Sequence, residues 1–536
     1  MLRSTFLGYK TATSALKVNQ NHMDVVGQNI SNINTKGYTR QRLDISSLSF
    51  NASNMKLGTS GVIVGQGVDA KGVSQFRDAF LDLRYRMESS KSGSEQVQLE
   101  ALTDLESVLD EISMDKLDAQ FSDLLAQLHS LTSSPSDPVL EGVVRTSAQM
   151  LTQMLNDYSK DIDTIYEQQL NYLENGAVVK ANQLMENIAK LNQQIKESNI
   201  SGNPALELND ERNMLIDELS NYIDIEVEIT SLPIGGGKEV DELVIKLSGS
   251  NHELVNRNSS NSISVKEEDG IINIDLSDET DTKDITNSIK GGQIDGYLKF
   301  LNGKGEFAIT DDTVAYEKAA DVKGIQYYKS MLDTLANKFA TVMNELNKEP
   351  ETYNDDGTVH AWKLKPLFEA RGDISTLITA GNIKISADWA TATDSYITNT
   401  TKKPNPDEDT TGAVDNILRM INAFNNKNDF ETNIDKDSNG TIEKNEQLNL
   451  FKGTFQEFLS YTTTKLNLQT ADVQISYETY SETQFHIDYA RSSMSSVDLN
   501  EEGVNLLQYS KSYNAAARLM TTLDEMLDTL INRMGV

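Results

Sequence analysis

Cysteine is absent from the chain. Disulfides, thiol catalysis and cysteine-ligated zinc are therefore excluded. Proline is scarce, with 8 in 536 residues, which leaves room for long uninterrupted helices. Positive charge is short: 48 Lys and Arg stand against 81 Asp and Glu, a formal net charge of −33. Such a chain repels phosphate backbones and anionic bilayers, so neither nucleic acid nor membrane is an expected partner. No run of about 18 apolar residues exists that could form a transmembrane helix. The first twenty residues, MLRSTFLGYKTATSALKVNQ, lack the apolar core and small-residue cleavage site of a secretory signal. Cytoplasmic residence and export without a cleaved signal both fit. Apolar residues make up 38%, which is low for a compact globule and suits an extended shape with much surface.

Catalytic patterns are missing too. The five histidines, His22, His129, His252, His360 and His486, share no motif. His22 is placed on the first helix, outside its apolar seam. IGGGK at 234–238 has the wrong spacing for a phosphate loop and reads as a hairpin connection. Paired carboxylates carry no signal in so acidic a chain. No enzyme is expected.

What is present is periodicity. Near the N-terminus Leu2, Tyr9, Leu16, Met23 and Ile30 recur every seven residues. Thr5, Ala12, Asn19 and Val26 fall three after each of the first four. Near the C-terminus Leu506, Tyr513, Met520, Leu527 and Met534 do the same, with Tyr509, Ala516, Leu523 and Leu530 between them. Both are a/d seams. Each can cover the other once the two segments come together, and these residues form the candidate assembly seam. Phe6, Leu7, Leu519 and Ile531 lie outside the seams and suit contacts with neighbouring subunits.

Between these segments the pattern changes several times. QNISNINTKGYTRQ at 28–41 is rich in capping and turn residues. LGTSGVIVGQGV at 57–68 suggests hairpins or extended strands. From about 76 to 218 the spacing is helical, with one very long helix between Val139 and Asn203, interrupted at most near Asn175-Gly176. Ile223, Ile225, Val227 and Ile229 then alternate strictly, as do Leu243, Ile245 and Leu247. A β-rich region follows to about 304. Ile325, Tyr328, Leu332, Leu335, Phe339, Val342 and Leu346 make one helical face. Residues 351–446 are irregular. Helix is expected again from about Leu448 to Asp472, with VQISYETYSETQFHIDYARS beyond it passing through extended structure.

One stretch carries chemistry. DKDSNGTIEKNE at 435–446 matches the EF-hand calcium loop. Asp435, Asp437 and Asn439 supply oxygens at positions 1, 3 and 5, and Gly440 allows the bend. Thr441 offers its carbonyl, Glu443 reaches the ion through water, and Glu446 binds with both oxygens. A single structural Ca2+ site follows, against the bland reading of a solvated acidic turn.

The 28–41 motif resembles the asparagine-rich signature of bacterial flagellar axial proteins, carried here by Asn29, Asn32, Asn34, Thr35, Gly37 and Tyr38. Its continuation Tyr38-Thr39-Arg40-Gln41 and the segment SQFRDAFLDLRYR at 74–86 are similar to the hook-associated protein 1 family. So are NDERNMLIDELS at 209–220, GGQIDGYL at 291–298 and the long stretch from Asp498 to Ile531. The resemblance is weak across 351–446.

It implies a non-enzymatic structural subunit at the junction of hook and filament. The implied partners are identical copies in a ring, eleven by the family's precedent, together with hook protein, a second junction protein and an export chaperone. It also implies an extracellular position reached by the flagellar type III route. The expected fold is multidomain α+β. Segments 1–50 and 490–536 form a terminal coiled-coil domain. Segments 51–221, 305–350 and 447–489 form a helical layer. Residues 222–304 form an inserted β-rich domain, and 351–446 an inserted variable lobe with the calcium loop. A calcium-binding secreted adhesin or binding module on a coiled-coil stalk is the alternative.

Overall fold

The computed structural model describes residues 5–48, 67–111, 114–235, 238–268, 270–278, 281–308, 320–353, 359–372, 377–401, 412–432 and 448–533. In chain order the helices are α1 (Thr5–Ser31), α2 (Ala79–Glu111), α3 (Met114–Leu131), α4 (Pro138–Tyr172), α5 (Val179–Ile200), α6 (Leu206–Tyr222), α7 (Gly292–Asn302), α8 (Ile325–Leu346), α9 (Ala387–Thr391), α10 (Asp415–Asn425), α11 (Phe455–Ser495) and α12 (Leu499–Asp528). The strands that bear on the site are β1 (Gln41–Ser47) and β2 (Val68–Gln75), an antiparallel pair. Beyond these, β3 (Ile225–Gly235), β4 (Lys238–Leu247), β5 (Glu253–Asn256) and β6 (Ser259–Ser260) form a four-stranded sheet, and β7 (Ser262–Glu268), β8 (Ile271–Ser277) and β9 (Thr282–Asp284) a three-stranded one; β10 (Lys348–Tyr353) pairs with β11 (Val359–Leu364), and β12 (Phe368–Ala370) with β13 (Ile383–Ile385). The fold is α+β, with long terminal helices and several small antiparallel sheets.

The chain divides into two compact units. One comprises Met1–Ser90, Ala181–Ser262 and Tyr480–Val536. Here α1 and α12 run antiparallel, since Tyr9 meets Asp524 while His22 meets Tyr509. The β1–β2 pair packs on α1. Alternation along β3 to β5 buries Ile225, Val240, Leu243, Ile245, Leu247, Leu254 and Val255.

The other unit comprises Lys91–Lys180 and Ile263–Thr479. Its centre is aromatic. Phe121 stacks on Phe455 at 6.0 Å, and Phe339 meets both edge-on at 5.5 and 5.6 Å. A fully buried carboxylate ties residues 387–397 to α4. Glu141 accepts from Trp389 Nε1 at 2.9 Å, Ser395 Oγ at 2.6 Å and the backbone N–H groups of Tyr396 and Ile397. Buried carboxylates persist only when so satisfied. The start of α4 is set locally: Asp137 caps it by accepting from Val139 N, and Pro138 sits at the first helical position.

Three local expectations change. Between α4 and α5 the helix continues through Asn175-Gly176 as a π-helical segment, Leu173–Val178. No strand interrupts 473–495, because α11 is one helix of 41 residues. Its β-branched and aromatic residues there lie largely exposed, Ile475, Phe485 and Tyr489 among them, with Ile487 buried. Helix also does not resume at Leu448. Strand β15 (Asn449–Gly453) pairs with β14 (Asn428–Glu431), placing Phe430 opposite Phe451. The helix starts only after Thr454, whose hydroxyl accepts from Glu457 N while the Glu457 carboxylate accepts from Thr454 N. That reciprocal pair is a capping box, readable as T-x-x-E. The calcium-loop residues Asp435, Asp437, Asn439, Thr441, Glu443 and Glu446 lie outside the described residues, in the link between β14 and β15. Among the described residues no group of three acidic or histidine side chains could hold a metal ion.

Candidate assembly site

The antiparallel pair α1–α12 brings the two seams together. Tyr9, Leu16, Met23 and Ile30 are half-buried, as are Tyr513, Met520 and Leu527. Ala12 and Val26 are the most deeply covered seam positions on α1 and Ala516 on α12, and Gly8 lies so near Leu523 that an added Cβ would sit 3.3 Å from it. Leu506 is 39% exposed and leaves the seam. Leu2 and Met534 lie outside the described residues. His22 corrects the expectation: it is half-buried and stacks on Tyr509, with ring centroids 4.2 Å apart and planes within 6°. Both departures follow from drift. A straight α-helix turns about 20° per heptad away from a 3.5-residue repeat, so positions far from the centre of contact rotate off or onto the seam. Burial lowers the His22 pKa. Leu519 and Ile531 are exposed.

Beyond α1 the chain is tied into a compact knot. Asn29 is buried, and its amide serves three groups. Its Nδ2 donates to Gln41 O at 2.9 Å, while its Oδ1 accepts from Gln41 N at 3.0 Å and Tyr38 Oη at 2.9 Å. The turn between them needs Gly37, whose φ is +79°. A Cβ there would lie 2.0 Å from Met214 Sδ on α6. Thr39 N donates to Asp210 Oδ2 of the same helix at 2.9 Å, and Gln75 Nε2 donates to the same oxygen at 2.9 Å. Burial raises the Asp210 pKa, while these hydrogen bonds and Arg77 pull it back. Burial also raises the Tyr38 pKa, helped by Glu207, Asp210 and Glu502.

Arg40 joins this knot to the C-terminal segment. Its backbone N donates to Ser495 O at 2.8 Å, at the end of α11. Its Nε donates to Glu502 at 2.7 Å, and its two terminal nitrogens donate to Glu501 at 3.1 and 2.9 Å. The Glu502 side chain is only 2% exposed. Both glutamates sit in the first turn of α12, where the helix dipole favours negative charge. Nearby, Arg86 and Arg491 both bond Asp217, at 2.7 and 2.8 Å, and Arg77 bonds Asp82 at 2.5 Å. These pairs weld α2, α6 and the end of α11. The positions of Asp210 and Glu502 were visible inside recognisable motifs. Their roles were not, because acidic residues are too common here to signal a partner.

The knot therefore assembles three motifs that are far apart in sequence: 28–41, 209–220 and the start of α12. Comparison with known proteins matches stretches that overlap all three. Flagellar hook-associated protein 1 of Bacillus subtilis (strain 168) is 28% identical over 546 residues, covering 100% of this chain and 99% of its own. The flagellar hook-associated protein FlgK helical domain family matches residues 102–358. Over its whole length the chain is similar to flagellar hook-associated protein 1. The flagella basal body rod protein family matches 10–39, and the flagellar basal body rod FlgEFG protein C-terminal family matches 491–534. These two stretches hold Asn29 and Tyr38 on one side and Glu501 and Glu502 on the other. The Escherichia coli (strain K12) hook-associated protein 1 is 29% identical over 223 residues, covering 41% of this chain and 39% of its own. In structure the chain is similar to the flagellar hook junction protein FlgK from Burkholderia pseudomallei. The TM-score is 0.53 at 12% identity, over 77% of this chain and 100% of that one. At that identity the likeness speaks for the fold alone.

Proposed function

We propose that this protein is a structural subunit of the bacterial flagellum that forms the junction between hook and filament, built by self-assembly through its terminal helices. The full-length similarity to hook-associated protein 1 carries the reading, and the convergence of the family's motifs on Arg40 gives it a physical basis. Nothing supports the adhesin alternative. The partners that fit are further copies of this chain in a ring, hook protein on one side and a second junction protein on the other, with a chaperone before export. Export through the flagellar type III apparatus to an extracellular position suits a family of axial components. Among the described residues no helix is long and apolar enough to cross a membrane.

Deletion of the gene tests the junction role. Electron microscopy is expected to show hooks without filaments, restored by the wild-type chain. Filaments of normal length in the deletion strain would overturn it. The loop at 435–446 is proposed as a weak structural Ca2+ site, supported by its complete EF-hand spacing. Calorimetry should register calcium uptake by the wild type and its loss in Glu446→Gln; identical traces would remove the site.

A further inference from the structure

The seam that pairs α1 with α12 does not specify its own register. Slide α12 by one heptad and Tyr513 takes the place of Met520, Met520 that of Leu527, and Tyr509 that of Ala516. Every a position remains apolar, and the d positions exchange tyrosine, alanine and leucine. Repeats of this kind are degenerate unless a polar or charged group marks one alignment. Two contacts inside the seam distinguish alignments weakly. Tyr9 Oη reaches Asp524 at 3.4 Å in an exposed position, and His22 stacks on Tyr509.

We propose that Arg40 is a positioning residue that locks the register of α12 on α1. The lock needs both of its ends fixed, and both are. On the α1 side Arg40 is held by the Asn29–Gln41 bonds, by Phe76 N donating to Arg40 O at 2.9 Å, and by its guanidinium lying 5.3 Å from the Phe76 ring centroid. On the α12 side it grips two successive residues, Glu501 and Glu502, one exposed and one buried. A slip of seven residues would carry both carboxylates about 10 Å along the helix axis, out of reach of a guanidinium that cannot follow. Glu502 would then be left without its cation, which a buried carboxylate does not tolerate. A forked cation is suited to this task because it fixes direction as well as distance. The lock rests on the pairing of this chain's own helices. It reaches the junction reading only through the shape a copy must have to enter the ring.

Because the chain lacks cysteine, introduced thiols report the register directly. In the full-length chain, Gly8→Cys is combined with Leu523→Cys for the observed register, or with Ala516→Cys or Leu530→Cys for a slip in either direction. Each pair is treated with a short thiol-specific crosslinker. With Arg40 present only the Gly8/Leu523 pair is expected to link. In an Arg40→Ala background one slipped pair should rise on the order of tenfold, with far-UV circular dichroism unchanged, and Arg40→Lys should fall between. Three results overturn the lock: an unchanged pattern in Arg40→Ala, an equal loss of linkage in all pairs, or no linkage of the Gly8/Leu523 pair in the parent. The junction reading is judged separately by the deletion strain, so either can fail without the other.

Discussion

At Asn29 one side chain amide satisfies three polar partners, and at Glu141 one carboxylate accepts from four residues. Such residues hold backbone that apolar packing cannot reach. Glu141→Ala should lower unfolding stability by about 3 kcal/mol, because it strands buried N–H donors; urea unfolding followed by circular dichroism measures it. Glu141→Gln should cost less, since an amide oxygen still accepts. His22 predicts a pH dependence. Burial holds its paired pKa below the ordinary 6.5, so the unpaired chain takes up a proton first. The stability it lends is complete above about pH 6.5 and is lost as pH falls toward the paired value. Few charges oppose this. Tyr509 faces it from α12, with Glu502 engaged by Arg40. Lys17 and Asp24 on its own helix are exposed, and strands β1 and β2 carry Arg42, Asp44, Asp69 and Lys71 on their solvent side. Hydrogen exchange in α1 and α12, corrected for intrinsic rate, should be faster at pH 5 than at pH 7.5. His22→Phe should erase the difference.

At the scale of elements, the helical stretch of α4 and α5 shows what sequence reading sees and misses. Its existence was plain from apolar spacing and the lack of proline between Val139 and Asn203. Its π segment was visible only as a vague interruption at Asn175-Gly176. The buried positions explain it. Counted along the sequence at about 100° per residue, the buried Leu151, Leu155, Ile162 and Ile165 and the buried Leu184, Ile188, Leu191 and Ile195 are out of phase by roughly two-thirds of one residue's rotation. A π turn absorbs one extra residue and keeps both faces inward. Deleting Asn175 should therefore convert the segment to α-helix with the thermal midpoint within a few degrees of wild type. Deleting Asn175 and Gly176 together should lower it sharply, as one face then rotates outward; scanning calorimetry separates the two. The start of α11 was equally legible from Thr454 and Glu457, whereas the β14–β15 pairing was not. It depends on Phe430 meeting Phe451 across 21 residues of chain, a contact no local period encodes.

For the whole molecule, the α+β class, the terminal pairing and the resemblance to hook-associated protein 1 could be read from patterns and motifs. The site's working parts could not, because Arg40, Asp210 and Glu502 gain meaning only when distant segments meet. Charge is the remaining whole-chain property with a consequence. Each copy carries a formal −33, so bringing copies together concentrates like charge. Arg40, Arg77, Arg86 and Arg491 already pair internally. Apolar surface such as Leu519 and Met526 on α12, both exposed, is available for contacts between copies, which would form against electrostatic repulsion. Salt screens that repulsion, with a Debye length that falls from about 30 Å at 0.01 M to about 8 Å at 0.15 M. Self-association of the purified chain, followed by sedimentation velocity, should therefore strengthen as salt rises across this range. Weakening with salt would mean that ion pairs between copies dominate, and that the apolar positions on α12 are not the adhesive surface.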